Sequence, residues 1–243
     1  MIKKDEFFSI QNLTIAVNTN KIIKNLNFNI KKGEIHVIMG PNGSGKSTLS
    51  KVSVGYPHYD ILRGDIIFKN SLISQISPIA ISKLGIFLGF QYPLDIPVNF
   101  FDFLMSLYQV NSGGSIENGW NQISEKFNSF NFDEKIWNRN INEGFSGGER
   151  KKIEILQMLL LNPELVLLDE IDSGVDIDSL KIISRKINEF MTPKRGLLLV
   201  THHINIIRYI KPDFVHIMKN GSIILSGGYD LAKKVSKQGF QYF

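Results

Sequence analysis

Residues 40–47 read Gly40-Pro41-Asn42-Gly43-Ser44-Gly45-Lys46-Ser47 (GPNGSGKS). The run Ile35-His36-Val37-Ile38-Met39 precedes them and Thr48 follows. A continuous apolar run of that length is the pattern of a strand in a sheet covered on both faces. A Gly-rich turn and a helix from about Lys46 come next. Every fixed position of G-x-x-x-x-G-K-[ST] is filled, by Gly40, Gly45, Lys46 and Ser47. Glycines let the backbone bend so that successive N–H groups point inward and form an anion nest. The helix that starts there adds its positive end. Lys46 supplies a full charge to β- and γ-phosphates, and the Ser47 hydroxyl can ligate Mg²⁺. Such a loop holds a triphosphate; the bland alternative is a strand-to-helix turn that is merely rich in glycine.

A triphosphate site needs acids for its metal and its water. Leu165-Val166-Leu167-Leu168-Asp169-Glu170 provides them, with four apolar residues burying a strand next to the phosphate loop and two carboxylates at its end. Asp169 would hold Mg²⁺ through water. Glu170 would stand near the attacking water as general base or water-orienting group. Alone, an apolar run ending in Asp-Glu reads as an ordinary solvated strand end. Its position about 120 residues after a phosphate loop gives it meaning.

Composition narrows the rest. With 243 residues and 43% hydrophobic content the chain can bury a sizeable core. No apolar run approaches the roughly 20 residues of a membrane span, and Met1-Ile2-Lys3-Lys4-Asp5-Glu6 lacks the apolar core of a secretion signal. There are no cysteines, which excludes disulfides, thiolate metal sites and thiol catalysis by this chain alone. A net charge of +5 without a long basic block reads as solvated surface lysines rather than a nucleic-acid interface. The 28 basic residues include 22 lysines, and Ile and Asn are abundant, a bias that an AT-rich genome imposes.

Along the chain, residues 7–35 read as short strands with turns, and Ile66–Phe68 as another strand. From 98 to 160 the spacing becomes helical, over Phe100–Val110, Trp120–Phe130 and Gly147–Leu161, with a loop at Asn111–Ser115. Strand patterns return at Leu165–Leu168, Leu197–Val200, Val215–Met218 and Ile223–Leu225. The expected layout is an α/β core (1–90 and 162–243) interrupted by a helical insert (91–161).

Between the phosphate loop and the acids stands Phe145-Ser146-Gly147-Gly148-Glu149. A Gly-Gly pair opening a helix is a second anion site. It makes sense when it caps a nucleotide held by another subunit. The stretch resembles the signature of ABC-type ATPases, usually Leu-Ser-Gly-Gly-Gln. That resemblance covers essentially the whole chain and implies a P-loop NTPase fold: a RecA-like core, an antiparallel β subdomain and a helical subdomain. It implies ATP and Mg²⁺ as ligands. Gln91 then matches the glutamine that links metal and water to the helical subdomain. Ser173-Gly174-Val175-Asp176 matches the loop that crosses a dimer interface, and His202 matches the switch histidine at the γ-phosphate. Two departures stand out. Phe145 and Glu149 replace Leu and Gln, and Ala16-Val17 stands where many relatives carry an aromatic that stacks on adenine. Stacking contributes about 1 kcal/mol, so a loosely held adenine is expected, and ATP-versus-GTP preference stays open.

Longer stretches, "GEIHVIMGPNGSGKSTLS" (33–50), "GIFLGFQYPLDIP" (85–97), "GFSGGERKKIEILQM" (144–158), "LLDEIDSGVDIDSLK" (167–181) and "YIKPDFVHIM" (209–218), resemble the SufC-type ATPases of SUF iron–sulfur cluster assembly. That resemblance implies SufB- and SufD-type scaffold partners, contacted near Gln91–Pro97 and Phe100–Tyr108, where Tyr92, Pro93 and Pro97 suit a docking surface. It also implies an ATP-driven homodimer, no nucleic acid and no membrane insertion. The compartment would be a plastid stroma or a bacterial cytoplasm, and the cluster would be held by the scaffold because this chain offers no thiolates. Two rivals remain: the ATP-binding subunit of an ABC membrane transporter, and a nucleotide-gated module that turns over little.

Overall fold

The computed structural model describes residues 7–243, so the hexapeptide Met1–Glu6 lies outside the described residues. The chain opens with strands β1 (Phe8–Val17), β2 (Asn20–Ile30) and β3 (Ile35–Met39), then helix α1 (Lys46–Val52). Strands β4 (Asp60–Phe68) and β5 (Ser71–Leu72), helix α2 (Pro78–Lys83) and strands β6 (Ile86–Gly89) and β7 (Ile96–Asn99) follow. Next come α3 (Phe100–Ser112), α4 (Ile116–Asn128), β8 (Asn140–Ile141) and α5 (Gly147–Leu161). The chain ends with β9 (Leu165–Asp169), α6 (Ile177–Phe190), β10 (Gly196–Val200), α7 (Ile204–Ile210), β11 (Phe214–Lys219), β12 (Ser222–Gly227) and α8 (Tyr229–Gln238).

Two compact units emerge. The first takes the chain up to Leu88, Glu164–Glu170 and Met191–Phe243; the second takes Gly89–Pro163 and Ile171–Phe190. The helical insert expected at 91–161 thus has a further segment beside it, and α6, which sequence reading kept with the core, belongs to the second unit.

In the first unit a six-stranded sheet runs β12-β11-β3-β10-β9-β6. Strand β3 is parallel to β10 and β11, and β10 is parallel to β9. Side chains of β9 and β10 are buried along their whole length, as expected for parallel strands covered on both faces. Strand β10 lies between β9 and β3, the strand that leads into the phosphate loop. A second sheet, β2-β1-β4-β5, is antiparallel over its β2-β1, β1-β4 and β4-β5 pairs. Its inward residues, among them Phe8, Ile10, Leu13, Ile15, Ile23 and Phe68, join Ile38, Leu49, Leu167 and Leu198 in one apolar core.

The second unit is mainly helical. Helix α3 starts at an Asn99 cap that accepts from the Phe101 and Asp102 amides, and runs two residues into the stretch read as loop. Its face Phe100, Leu104, Met105 and Tyr108 is buried. Rings of Phe100, Phe127 and Trp137 pack edge-on or tilted at centroid distances of 4.2–5.9 Å, a geometry that aromatic quadrupoles favour.

Candidate functional site

The parallel strands of the first unit end on one edge, where α/β sheets place their ligands. From β3 the chain turns into Gly40–Gly45. Gly43 and Gly45 have φ of 77° and 104°, left-handed values that a side chain resists, and a Cβ on Gly40 would lie 2.2 Å from the Met218 carbonyl oxygen. The loop therefore needs its glycines for conformation at two positions and for space at the third. Lys46 is only 4% exposed and donates to the carbonyls of Gly40 and Pro41 at 2.9 and 3.0 Å. Burial lowers its pKa, opposed by the carboxylates of Glu170 and Asp169. The Ser44 hydroxyl is buried in the same loop and has no hydrogen-bond partner among the described residues. A buried donor of that kind suits an incoming phosphate oxygen.

The acids arrive from β9. Asp169, its last residue, accepts a hydrogen bond from the Ser47 hydroxyl at 3.0 Å, so phosphate loop and acid meet although their strands are not neighbours. Glu170 follows with φ 49°. Most non-glycine residues in that region of this chain are asparagines, which tolerate it. A buried glutamate there is strained backbone, a condition that concentrates at functional positions. Its amide donates to the Val200 carbonyl at 2.8 Å, which ties the turn after β9 to the end of β10. The chain beyond β10 brings His202, whose Nδ1 lies 3.4 Å from Glu170 Oε1, within ion-pair reach but outside hydrogen-bond geometry. Of the residues singled out in the sequence, the first unit thus brings together Lys46, Ser47, Asp169, Glu170 and His202. Ala16, expected near the base, is buried within the antiparallel sheet and offers no stacking surface.

The second unit carries the others. Ser146 caps α5 with a full capping box: its hydroxyl accepts from the Glu149 amide at 3.3 Å, and Glu149 Oε2 accepts from the Ser146 amide at 2.8 Å. Glu149, a departure from the usual signature, closes that box. A Cβ on Gly147 would meet the Gly174 carbonyl at 2.5 Å, and one on Gly148 would meet Ser179 Oγ at 2.7 Å and Asp176 Oδ2 at 2.9 Å. The paired glycines are therefore what lets α5 begin against the Gly174–Ser179 segment. Asp176 accepts from the amides of Asp178 and Ser179, which lowers its pKa, the Ser179 bonds contributing most.

Gln91 begins the loop after β6. In that loop Tyr92 is 74% and Leu94 77% exposed. In the neighbouring stretch Phe100–Tyr108, read as part of a partner surface, Phe100, Leu104, Met105 and Tyr108 are buried in the helical unit and Asp102 and Ser106 are exposed. Sequence reading also missed a buried pair, Lys151 and Glu154, on α5. A signal was present: with Ile155 and Met158 they make an i, i+3, i+4, i+7 stripe, and charges on such a stripe point inward.

The ABC transporter family profile matches residues 23–173. The "Probable ATP-dependent transporter ycf16" of Trieres chinensis is 50% identical over 242 residues, covering 96% of each chain. The "Probable ATP-dependent transporter slr0075" of Synechocystis sp. is 45% identical, covering 96% of this chain and 94% of its own. "ABC transporter I family member 6, chloroplastic" of Arabidopsis thaliana is 42% identical and covers 93% of this chain, which spans 69% of it. A nucleotide-free ATP-binding cassette from an ABC transporter superposes with a TM-score of 0.74 at 26% identity, covering 96% of both chains. A dimeric post-hydrolysis cassette bound to ADP and phosphate shares the fold, with a TM-score of 0.80 at 23% identity over 92% of this chain and 99% of that one.

The fold and the strand-end site define a P-loop ATPase. The chain belongs to the ABC transporter family, and it is an ATP-binding, ATP-hydrolysing cassette of that family.

Proposed function

We propose that this chain is the ATPase of a SUF-type iron–sulfur cluster assembly machine, working on a SufB- and SufD-type scaffold. The observation that carries the catalytic part is the meeting of Ser47 with Asp169 and of Glu170 with His202 at the strand ends. The main-chain N–H groups of Asn42–Thr48, following Gly40 and Pro41, and the Lys46 ammonium cradle the β- and γ-phosphates. The hard-oxygen pair of Ser47 Oγ and Asp169 Oδ1, 3.0 Å apart, fits Mg²⁺; the role of Gln91 as a further ligand is what the resemblance implies. When bound, Mg²⁺ would neutralise charge on the phosphate oxygens. Glu170 accepts the proton of the attacking water or orients it, and His202 donates to the γ-phosphate. Ser146, Gly147 and Gly148 of a second copy, with Glu149 closing the cap, complete the grip in trans. The Asp176 loop crosses that interface, and closure moves the scaffold.

Several features favour a scaffold as partner. The five longer stretches resemble SufC-type ATPases, and Tyr92 and Leu94 offer an exposed apolar docking surface. A relative named as chloroplastic and one from Synechocystis sp. are compatible with a plastid stroma or a bacterial cytoplasm. The second reading, an ATP-binding subunit of a membrane transporter, is favoured by the relatives named as probable ATP-dependent transporters. Purification of the full chain from its native cell, followed by mass measurement of the intact complex, separates the two. A detergent-free assembly with a soluble scaffold is expected; recovery with an integral membrane protein instead overturns the scaffold reading.

A further inference from the structure

Helix α5 holds two charged side chains almost fully inside the second unit, Lys151 at 3% and Glu154 at 4% exposure. They lie 3.2 Å apart as an i, i+3 pair. Both also reach the same residue of the chain entering the Gln91 loop. Glu154 Oε1 accepts from the Phe90 amide at 2.5 Å, and the Lys151 ammonium donates to the Phe90 carbonyl. One ion pair thus engages both main-chain polar groups of Phe90, the residue before Gln91. The far end of the loop is gripped by Arg150 of the same helix and by Asn142, which precedes it. Arg150 pairs with Asp95 at 2.8 Å, and the Asn142 amide donates to the Leu94 carbonyl at 2.8 Å. Between these anchors stand Gln91 and the exposed Tyr92.

Burying two charges costs desolvation that their mutual attraction repays only with good geometry and added hydrogen bonds. A pair of leucines would fill the same stripe without that cost, so the pair is poor evidence of a purely stabilising role. We propose that Lys151 and Glu154 are positioning residues for Gln91: they fix Phe90 to α5, so that Gln91 moves with the helix whose first turn is Ser146-Gly147-Gly148. This rests on the reading of Gln91 as the metal- and water-facing residue. The Phe90–Asp95 segment is then held at both ends to the helix that carries the signature turn.

The test is a cycle in the full-length chain. Lys151→Met/Glu154→Leu removes both charges together, which avoids leaving either one buried alone. It is expected to bind ATP within about twofold of wild type while kcat falls about tenfold or more, since a small misplacement of a reacting group costs that much. In a Gln91→Ala background the same double substitution should change kcat by less than about twofold, because its effect passes through Gln91. Full additivity of the two losses overturns the positioning role. An unchanged kcat for Gln91→Ala overturns the reading of Gln91, and the positioning role with it. Lys151→Gln/Glu154→Gln keeps a donor and an acceptor for Phe90 with no charge left alone, and should retain kcat within about threefold. A loss as large as that of Lys151→Met/Glu154→Leu overturns the proposal, even where that variant folds poorly.

Discussion

The two units place their functional residues by different means. In the first, position follows from where strands stop. Lys46, Asp169 and Glu170 lie within a residue or a short turn of the ends of β3 or β9, and main-chain bonds such as Glu170 to Val200 hold them. In the second, side chains do the placing. A serine cap and its glutamate start α5, and a buried lysine–glutamate pair fixes Phe90 beside Gln91. Strand ends in a parallel sheet are rigid because neighbouring strands over-determine them. A loop fixed by buried charge is only as rigid as that pair. Chemistry therefore belongs naturally to the first unit, and adjustable coupling to the second.

Substitutions sharpen this contrast, from the largest effect to the smallest. Glu170→Gln should lower the steady-state ATP turnover about a hundredfold or more while ATP still binds, as expected for loss of a general base. Phosphate release under multiple-turnover conditions checks it, and unchanged turnover removes Glu170 from the role. Lys46→Ala should weaken ATP binding about 10- to 100-fold, the worth of a charge-assisted hydrogen bond to phosphate. Equilibrium titration with a fluorescent nucleotide measures it.

The third way concerns pH and only the first unit. His36 Nδ1 and His216 Nε2 are 3.0 Å apart in the core, with His216 also bonded to the Ser226 hydroxyl and His36 to Glu34. Burial, and then the His36 charge, lower the His216 pKa to about 4; burial lowers that of His36 too, against the carboxylates of Glu34 and Asp213. The unfolded chain then binds more protons than the folded one between about pH 6.5 and pH 4, so stability is full above that window and falls as pH drops through it. For His216 alone the loss from about pH 7.5 to about pH 5 is about 2 kcal/mol. Urea midpoints at the two pH values should show it, and His216→Asn should flatten the dependence. The smallest effect belongs to the second unit: Ser146→Ala should cost about 1 kcal/mol of thermal stability through the lost cap. A drop seen by calorimetry without one in nucleotide affinity of the isolated chain would mark the cap as local.

Much of this was legible in the residues. The β3–loop–α1 unit, β9 with its acids, β10 and α5 follow from apolar runs and turn glycines, and α5 begins and ends at the predicted residues. Short elements such as β5, β7 and β8 escaped because two to four residues carry too little pattern. In the Phe100–Tyr108 stretch, Phe100, Leu104, Met105 and Tyr108 turn inward while Asp102 and Ser106 stay exposed, because helical apolar spacing buries one face and leaves the other to solvent.

By itself, the order of residues determined that a phosphate cradle follows a buried strand and that two acids end another, since both depend on local backbone chemistry. Only the tertiary structure decided that β10 separates those strands while Ser47 still meets Asp169. It alone decided, too, that Lys151 and Glu154 turn inward onto Phe90. Those facts depend on contacts between residues far apart in the chain, and local spacing carries no information about them.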